Sequence, residues 1–396
     1  MESTDIPSNN IILGIPSENH SQERLVSLVP KNITTLKQIG IEVVVEHDAG
    51  MRSGFSDEHY IEAGATIETN RSEIFKSAHI IAQVRGPSKN SESGQKDIVN
   101  LRNDHIIIGF LQPQFSLKEI KQIADKGSTS IAMELIPRIP KAQNMDALSS
   151  LANLSGYKAV LLAASLMPKI FPLMMTASGT LRPAKILVIG AGVAGLQAIA
   201  TAKRLGALIT GYDIRPAVKE QVESLGAKFL EDDLSSKESE TKSGYAKEMP
   251  KEFYANQQKL LLQEISETDA IITTAAIPGK KAPVLITTEM VSNMKSGSVI
   301  VDLAAETGGN CALTEADKII EHNNVSIIGT TNLHSTVPKD ASQVYSNNIS
   351  NLVSHIVQNN NAEINLEDSI LKEVVVTHKG NIVHPLIKDL SNSKKE

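Results

Sequence analysis

A single cysteine, Cys311, in 396 residues leaves no partner for an internal disulfide, which points to a reducing compartment. The ten histidines show no close pairing with one another or with Cys311 at metal-ligand spacing, so no metal is expected. Positive charge is short as well. Lys plus Arg number 39 against 45 for Asp plus Glu, a net charge of −6, and no basic field exists to gather phosphate backbones, which excludes nucleic acid as a partner class. Long apolar runs are also missing. From Ala159 to Met175 the run is broken by Pro168, Lys169 and Pro172, well short of the ~20 clean residues of a spanning helix, and it reads as a helix followed by a buried loop. From Ile186 to Ala202 the run carries three glycines at turn spacing before Lys203 and Arg204, as a buried strand and helix would. The opening MESTDIPSNN has no basic stretch leading into an apolar one and reads as a polar tail, not a signal peptide. A soluble chain is expected.

What is present is an ordinary globular composition, 41% apolar and 21% charged, too long for one core and suited to two domains. The first third alternates β-rich runs (NIILGIP, IEVVVEH, AHIIAQV, HIIIGFL, TSIAMEL) with helical stretches near Asn32 to Ile39 and Leu117 to Lys126. A second series runs AKILVIG, a helix from Val193, ALITGYD, a helix near Val218 to Leu225, DAIITTA, GSVIVDLA and VSIIGTT. Strands separated by helices imply mostly parallel sheets. The fold class expected is therefore α/β, with two Rossmann-like domains linked by long helices and a cleft between them. Asp146 to Met167 reads as one linking helix and Ala341 to Val357 as the other, returning to the first domain. The domains expected are 1–145 with 340–396, and 146–339. The tail VVVTHKGNIVH reads as a hairpin turning at Lys379 and Gly380. Glu231 to Pro250, dense in Ser, Lys, Asp and Glu, interrupts the second domain. Such an insertion is either a mobile functional loop or a solvated excursion.

The strongest local signal is Gly190-Ala191-Gly192-Val193-Ala194-Gly195, directly after the strand KILVI and at the start of a helix. Its glycines allow a tight turn, close approach of a pyrophosphate and close helix-on-sheet packing, with the helix N-terminus facing the phosphates. Asp213 ends the next strand at about the ~20-residue offset where a carboxylate accepts the ribose hydroxyls of NAD. An acid there repels a 2′-phosphate and favours NAD over NADP. Arg215, two residues later, is the feature that argues the other way.

The runs GAGVAGLQAIATAKRLGA, KEQVESLGAKF, SGYAKEM, IPGKKAPVLIT and DLAAETGGNC resemble the NAD(H)-binding component of proton-translocating transhydrogenases over most of the chain. The N-terminal GIPSEN and ERLVSLVP resemble the related alanine dehydrogenases too. Particular residues decide between the two. Where alanine dehydrogenases place a catalytic histidine this sequence has Gln112, where they carry a lysine it has Arg85 within Gln83–Pro87, and where they use an aspartate it has Glu306, although the N-terminal arginine is kept as Arg24. Glutamine cannot titrate, and imine chemistry needs an acid/base group. The keto-acid site reads as dismantled.

The resemblance implies NAD(H) bound by this chain and NADP(H) on a partner subunit. It implies that Arg138, Ile139, Pro140, Gln143, Asp146 and Ser149 form the loop holding the nicotinamide end, Arg138, Gln143, Asp146 and Ser149 orienting the carboxamide. By the residues alone, the same group could be an N-capping cluster for the following helix. The resemblance further implies that Gly244 and Tyr245 close over bound nucleotide, and that Gln257 and Ala276 meet its adenosine and ribose parts, with backbone from Val193, Ala194 and Ile214. Hydride would pass directly between two nicotinamide rings, so catalysis is positioning, for which proximity can supply ~7–11 kcal/mol. The implied setting is a homodimer on the cytoplasmic or matrix face of a membrane, docked on an NADP(H)-binding beta subunit and on membrane-spanning subunits that carry the proton coupling. An alanine dehydrogenase-like enzyme and a non-catalytic NAD sensor are the alternatives.

Overall fold

Short isoleucine- and valine-rich runs, too short to bury themselves as helices, pair here into two main sheets. The computed structural model describes residues 11–231, 251–277, 280–358 and 361–393, and the chain divides into two compact units, Met1–Leu151 with Ser335–Glu396, and Ala152–His334. The sequence reading places the two junctions at 145/146 and 339/340.

In the first unit eight strands lie in the order Asn381–Ile382, Val375–His378, Thr129–Ala132, Ile106–Phe110, Ile80–Arg85, Ile11–Ile15, Ile41–Glu46, Thr66–Glu68. Those from Thr129–Ala132 to Thr66–Glu68 run parallel, and the C-terminal Val375–His378 joins antiparallel at the edge. Every residue of the central strands Ile80–Arg85 and Ile106–Phe110 is buried, as expected when helices cover both faces of a parallel sheet. The tail forms the expected hairpin, with Lys379 at φ 46° and Gly380 at φ 84°, the mirror-image turn that matches strand twist. The returning helix spans Pro338–Ile356. It starts earlier than the apolar period implies because Pro338 fits the first turn, where no N–H is needed.

In the second unit the order is Lys228–Phe229, Leu208–Tyr212, Lys185–Ile189, Ala270–Thr273, Val299–Asp302, Val325–Gly329, Lys318–His322, all parallel except the last. Alternate residues of one strand serve opposite cores. Ile186 and Val188 pack with Ala159, Val160 and Ala163 of one helix and Ala198 of another, whereas Leu187 and Ile189 pack with Leu261, Ile265 and Met290. The sheet is thus wound on both sides, with its C-terminal strand ends left to loops. The linking helix spans Ala147–Leu166, and a glycine lets it cross its neighbour closely: a Cβ on Gly156 would stand 2.1 Å from the carbonyl oxygen of Ala194.

One expectation fails after that helix. The run to Met175 is not a buried loop beyond Phe171; it opens into a small hairpin, Met174–Thr176 with Gly179–Leu181, exposed at every residue. Apolarity suggested burial, but the hairpin has no second layer within its unit. Among the described residues, no helix is long and apolar enough to cross a membrane.

Candidate functional site

The glycine-rich turn follows strand Lys185–Ile189 and opens the helix Val193–Arg204. Gly190 sits at φ 97°, a left-handed conformation that L side chains rarely adopt. A Cβ on Gly195 would stand 1.7 Å from the carbonyl oxygen of Gly190, so helix and strand close on each other only without a side chain there. Gly192 differs: among the described residues nothing lies within 4 Å of where its Cβ would stand, and no side chain caps the helix that starts beside it. The helix thus begins beside open space, with Val193 and Ala194 half-buried in its first turn, and a helix start of this kind can receive an anionic group.

Two neighbouring segments build the rest of this cradle. Asp213, directly after strand Leu208–Tyr212, accepts a hydrogen bond at Oδ2 from Ala191 N at 2.7 Å. Arg215 folds onto the same carboxylate, with its backbone N and Nε each 2.9 Å from Oδ1 and Nη2 2.8 Å from Oδ2. Ile214 between them is half-buried against the core. On the other side, Thr274 donates from N to the Ile189 carbonyl at 2.8 Å and from Oγ1 to the Gly190 carbonyl at 2.9 Å, and Ala276 beyond it is exposed. Gln257 is buried and donates from Nε2 to the Tyr212 hydroxyl at 2.9 Å. Gly244 and Tyr245, expected to close over this end, lie outside the described residues.

Sequence reasoning missed what supports the Thr274–Ala276 turn. Asp302 ends a strand that is otherwise wholly apolar, is fully buried, and gathers donors: Thr273 Oγ1 at 2.9 Å and Ala304 N at 3.0 Å on Oδ1, Asn310 N at 2.7 Å, Cys311 N at 3.1 Å and Thr314 Oγ1 at 2.7 Å on Oδ2. An acid closing an apolar strand at the C-terminal edge of the sheet was the available signal. Burial, aided by the Asp302 charge, pushes the Cys311 thiol up to about 11, so the one cysteine is a poor nucleophile.

In the first unit, the segment expected at the nicotinamide end forms a 3₁₀ turn, Pro140–Met145, preceded by Ile139 and leading into the long helix. Asp146 Oδ1 accepts from Ser149 N at 2.9 Å and Oδ2 from Ser149 Oγ at 2.5 Å. That is N-cap geometry, so the capping alternative holds for Asp146 and Ser149. The side chains of Arg138 and Gln143 are exposed beside it.

The positions that would carry keto-acid chemistry are engaged elsewhere. Arg85, buried, directs Nε to Glu23 Oε2 at 3.2 Å, and Gln83 donates to Asp97 Oδ2 at 3.0 Å. Gln112 adopts φ 48°, and its N and Leu111 N both donate to Glu134 Oε1, at 2.5 and 2.9 Å. Glu18 accepts from Val84 N at 2.5 Å and Arg85 N at 3.2 Å. Burial first, and then the nearby Glu23 charge, pushes its carboxyl up to about 8. Among the described residues, one surface group has ligand atoms close enough to share a metal ion: His47 with Asp48 and Asp57. Both ring nitrogens already meet carboxylates, Nδ1 at 2.6 Å from Asp57 and Nε2 at 3.3 Å from Asp48, and the Asp57 hydrogen bond chiefly raises the imidazole above its usual range.

A doubly wound sheet with a glycine cradle at its C-terminal edge defines a dinucleotide-fold, dehydrogenase-like protein. The chain belongs to the alanine dehydrogenase/PNT family, whose N-terminal domain matches residues 14–155 and C-terminal domain residues 159–385. It is 44% identical over 378 residues to an NAD(P) transhydrogenase alpha-subunit chain of Rhodospirillum rubrum, covering 95% of this chain and 98% of that one. The crystal structure of transhydrogenase from Sinorhizobium meliloti superposes with a TM-score of 0.84 at 41% identity, covering 94% of this chain and all (100%) of the other. An L-alanine dehydrogenase structure shares the fold, with a TM-score of 0.80 at 23% identity over 97% of this chain and 99% of the other. The transhydrogenase side of the resemblance read from the motifs is borne out.

Proposed function

We propose that this chain is the NAD(H)-binding alpha subunit of a proton-translocating NAD(P) transhydrogenase. The observation that carries the reading is the cradle itself: the open side of Gly192, the left-handed Gly190 and an Asp213 carboxylate fixed beside them, in a chain 44% identical to a transhydrogenase alpha subunit. The residues fit the dinucleotide, because a side chain on Gly192 would fill the space that a pyrophosphate needs. When bound, the nicotinamide supplies the hydride donor or acceptor. The amides that open the helix at Val193 and Ala194 hold the anionic middle of the cofactor, and the Asp213 charge disfavours a 2′-phosphate.

Arg138, Gln143, Asp146 and Ser149 orient the nicotinamide end, with Ile139 and Pro140 beside them. Asp146 keeps its capping bonds in that role, so the helix start and the orienting group are one unit. Gly244 and Tyr245 cover the nucleotide, Gln257 supports the adenosine side through Tyr212, and Ala276 borders the ribose. NADP(H) sits on a partner subunit, hydride passes directly between the two nicotinamides, and proton movement belongs to membrane partners against whose cytoplasmic or matrix face this subunit docks. The domain division 1–145 with 340–396, and 146–339, goes with this reading. A second copy is a further partner: the hairpin Met174–Leu181 carries exposed apolar side chains, with Met175 81% and Leu181 47% exposed, as an interface element would.

The alanine dehydrogenase reading is disfavoured by Gln112 and by Arg85, whose guanidinium is paired with Glu23. The test is direct. The pure chain, mixed with an NADP(H)-binding transhydrogenase partner, catalyses hydride exchange, whereas pyruvate and ammonia give no NADH oxidation. Turnover with pyruvate and ammonia near ~10 per second, the usual enzyme scale, or silence with the partner, overturns the proposal.

A further inference from the structure

We infer that Asn310 is a positioning residue of the dinucleotide site, setting the wall that faces the glycine turn. The inference rests on the NAD(H) reading above. Asn310 is fully buried and spends its whole carboxamide on backbone. Its Oδ1 accepts from Ala275 N at 3.0 Å, and its Nδ2 donates to the carbonyls of Ala275 and Pro283, each at 2.8 Å. One side chain therefore grips both polar groups of a single residue, Ala275, and ties them to a second loop. A carboxamide presents a donor and an acceptor side by side in a fixed plane, which suits it to this double grip.

The gripped residue adjoins the cradle. A Cβ on Gly190 would stand 2.5 Å from Thr274 Oγ1 and 3.1 Å from Ala275 N, so the Thr274–Ala275 turn is the opposite wall of the glycine turn. Asn310 is itself held by Asp302 through its backbone N at 2.7 Å, and Asp302 also anchors Thr273 Oγ1, at the start of the same turn, at 2.9 Å. The turn is thus fixed at both ends from one buried carboxylate. With the amide and carbonyl of Ala275 taken, Ala276 is the exposed residue left at the edge of the slot. A pre-set wall spares the bound state the entropy of ordering it, so loss of Asn310 widens the slot and weakens the cofactor before it touches chemistry.

The experiment compares Asn310→Ala with Thr314→Val in the full chain. Thr314 Oγ1 leans on the same carboxylate, 2.7 Å from Asp302 Oδ2, and acts through that oxygen instead of gripping the turn, so it reports the general cost of loosening the network. Melting temperature and the dissociation constant for NADH are measured for both, and KM and kcat for NADH in hydride exchange with the partner subunit. Asn310→Ala is expected to weaken NADH by about tenfold or more, the scale of leaving buried polar groups unpaired, raising KM while kcat at saturation holds. Thr314→Val, at a similar melting temperature, is expected to bind NADH nearly as the parent does. If Asn310→Ala does not fold, Asn310→Ser, which keeps the backbone bond to Asp302, gives the same comparison. Equal weakening in both variants overturns the inference and leaves the cofactor reading standing. Failure of the parent chain to bind NADH overturns the cofactor reading, and the inference with it.

Discussion

Asp213 grips Arg215 at two points, Nε 2.9 Å from Oδ1 and Nη2 2.8 Å from Oδ2, while its Oδ2 also holds the amide of Ala191 in the glycine turn. The nearby basic residue that could welcome a 2′-phosphate is thus drawn onto the acid that repels it. Replacing the acid changes both sides of that balance. Asp213→Asn is expected to weaken NADH roughly 10- to 100-fold, the range for hydrogen bonds to a charged group, and to strengthen NADPH as Arg215 loosens. Titrations of both cofactors at fixed salt check this, and an unchanged affinity ratio counts against the assigned role.

Gly192 and Gly195 separate binding from folding. Gly195→Ala drives a Cβ into the Gly190 carbonyl, 1.7 Å away, and is expected to cost ~1–3 kcal/mol of stability, as overpacking does. Gly192, at φ −78° with open space beside it, tolerates alanine in the free protein, yet the added methyl occupies the cofactor's approach. Denaturant melts and NADH titrations should therefore rank the two variants oppositely. A destabilised Gly192→Ala with parental NADH affinity would contradict the assignment of the open side.

Glu18 gives a pH signature in the first unit. Its folded carboxyl is pushed up to about 8, while 4.5 is the ordinary value. Between those values the native chain holds a proton that the unfolded chain has lost, so this group's contribution to stability declines as pH rises from about 4.5 to about 8 and is level above. Glu18→Gln removes the decline. The melting temperature of the variant minus that of the parent is expected to climb across this window and then plateau, and a difference that is flat with pH would refute the buried neutral carboxyl.

Met175→Asp and Leu181→Asp test the hairpin. Both side chains are exposed, so charge there leaves each unit's fold intact and should convert a dimer to a monomer in light scattering coupled to size exclusion. Unchanged mass with both variants would clear the hairpin of a role in association.

Long apolar strands and the glycine turn were readable in the sequence because each is a local pattern: a run buried on both faces, or three glycines at a strand-to-helix junction. Elements whose existence depends on neighbours were not. Thr66–Glu68 and Lys228–Phe229 are three and two residues long and exist as strands only through pairing, and Lys318–His322 covers the sheet edge antiparallel. The hairpin at Met174 misled because apolar side chains there face outward. Asp213 beside the glycine turn was legible from its offset, and the Asp146 cap from its place before a helix. The Asn310 grip on Ala275 was not, since it joins residues 35 positions apart through a network that only the folded sheet assembles.

The edge strand Val375–His378 adds a consequence in time. It pairs with Thr129–Ala132, and Thr377 Oγ1 and Ser130 Oγ meet at 2.8 Å although 247 residues separate them. The whole of Ala152–His334 is threaded between those partners. As the chain leaves the ribosome, the uninterrupted second unit can close while the first still waits for its last strand. Nascent chains truncated shortly before residue 375 should then already resist protease in the segments 152–231 and 280–334, with the N-terminal unit still open to cleavage.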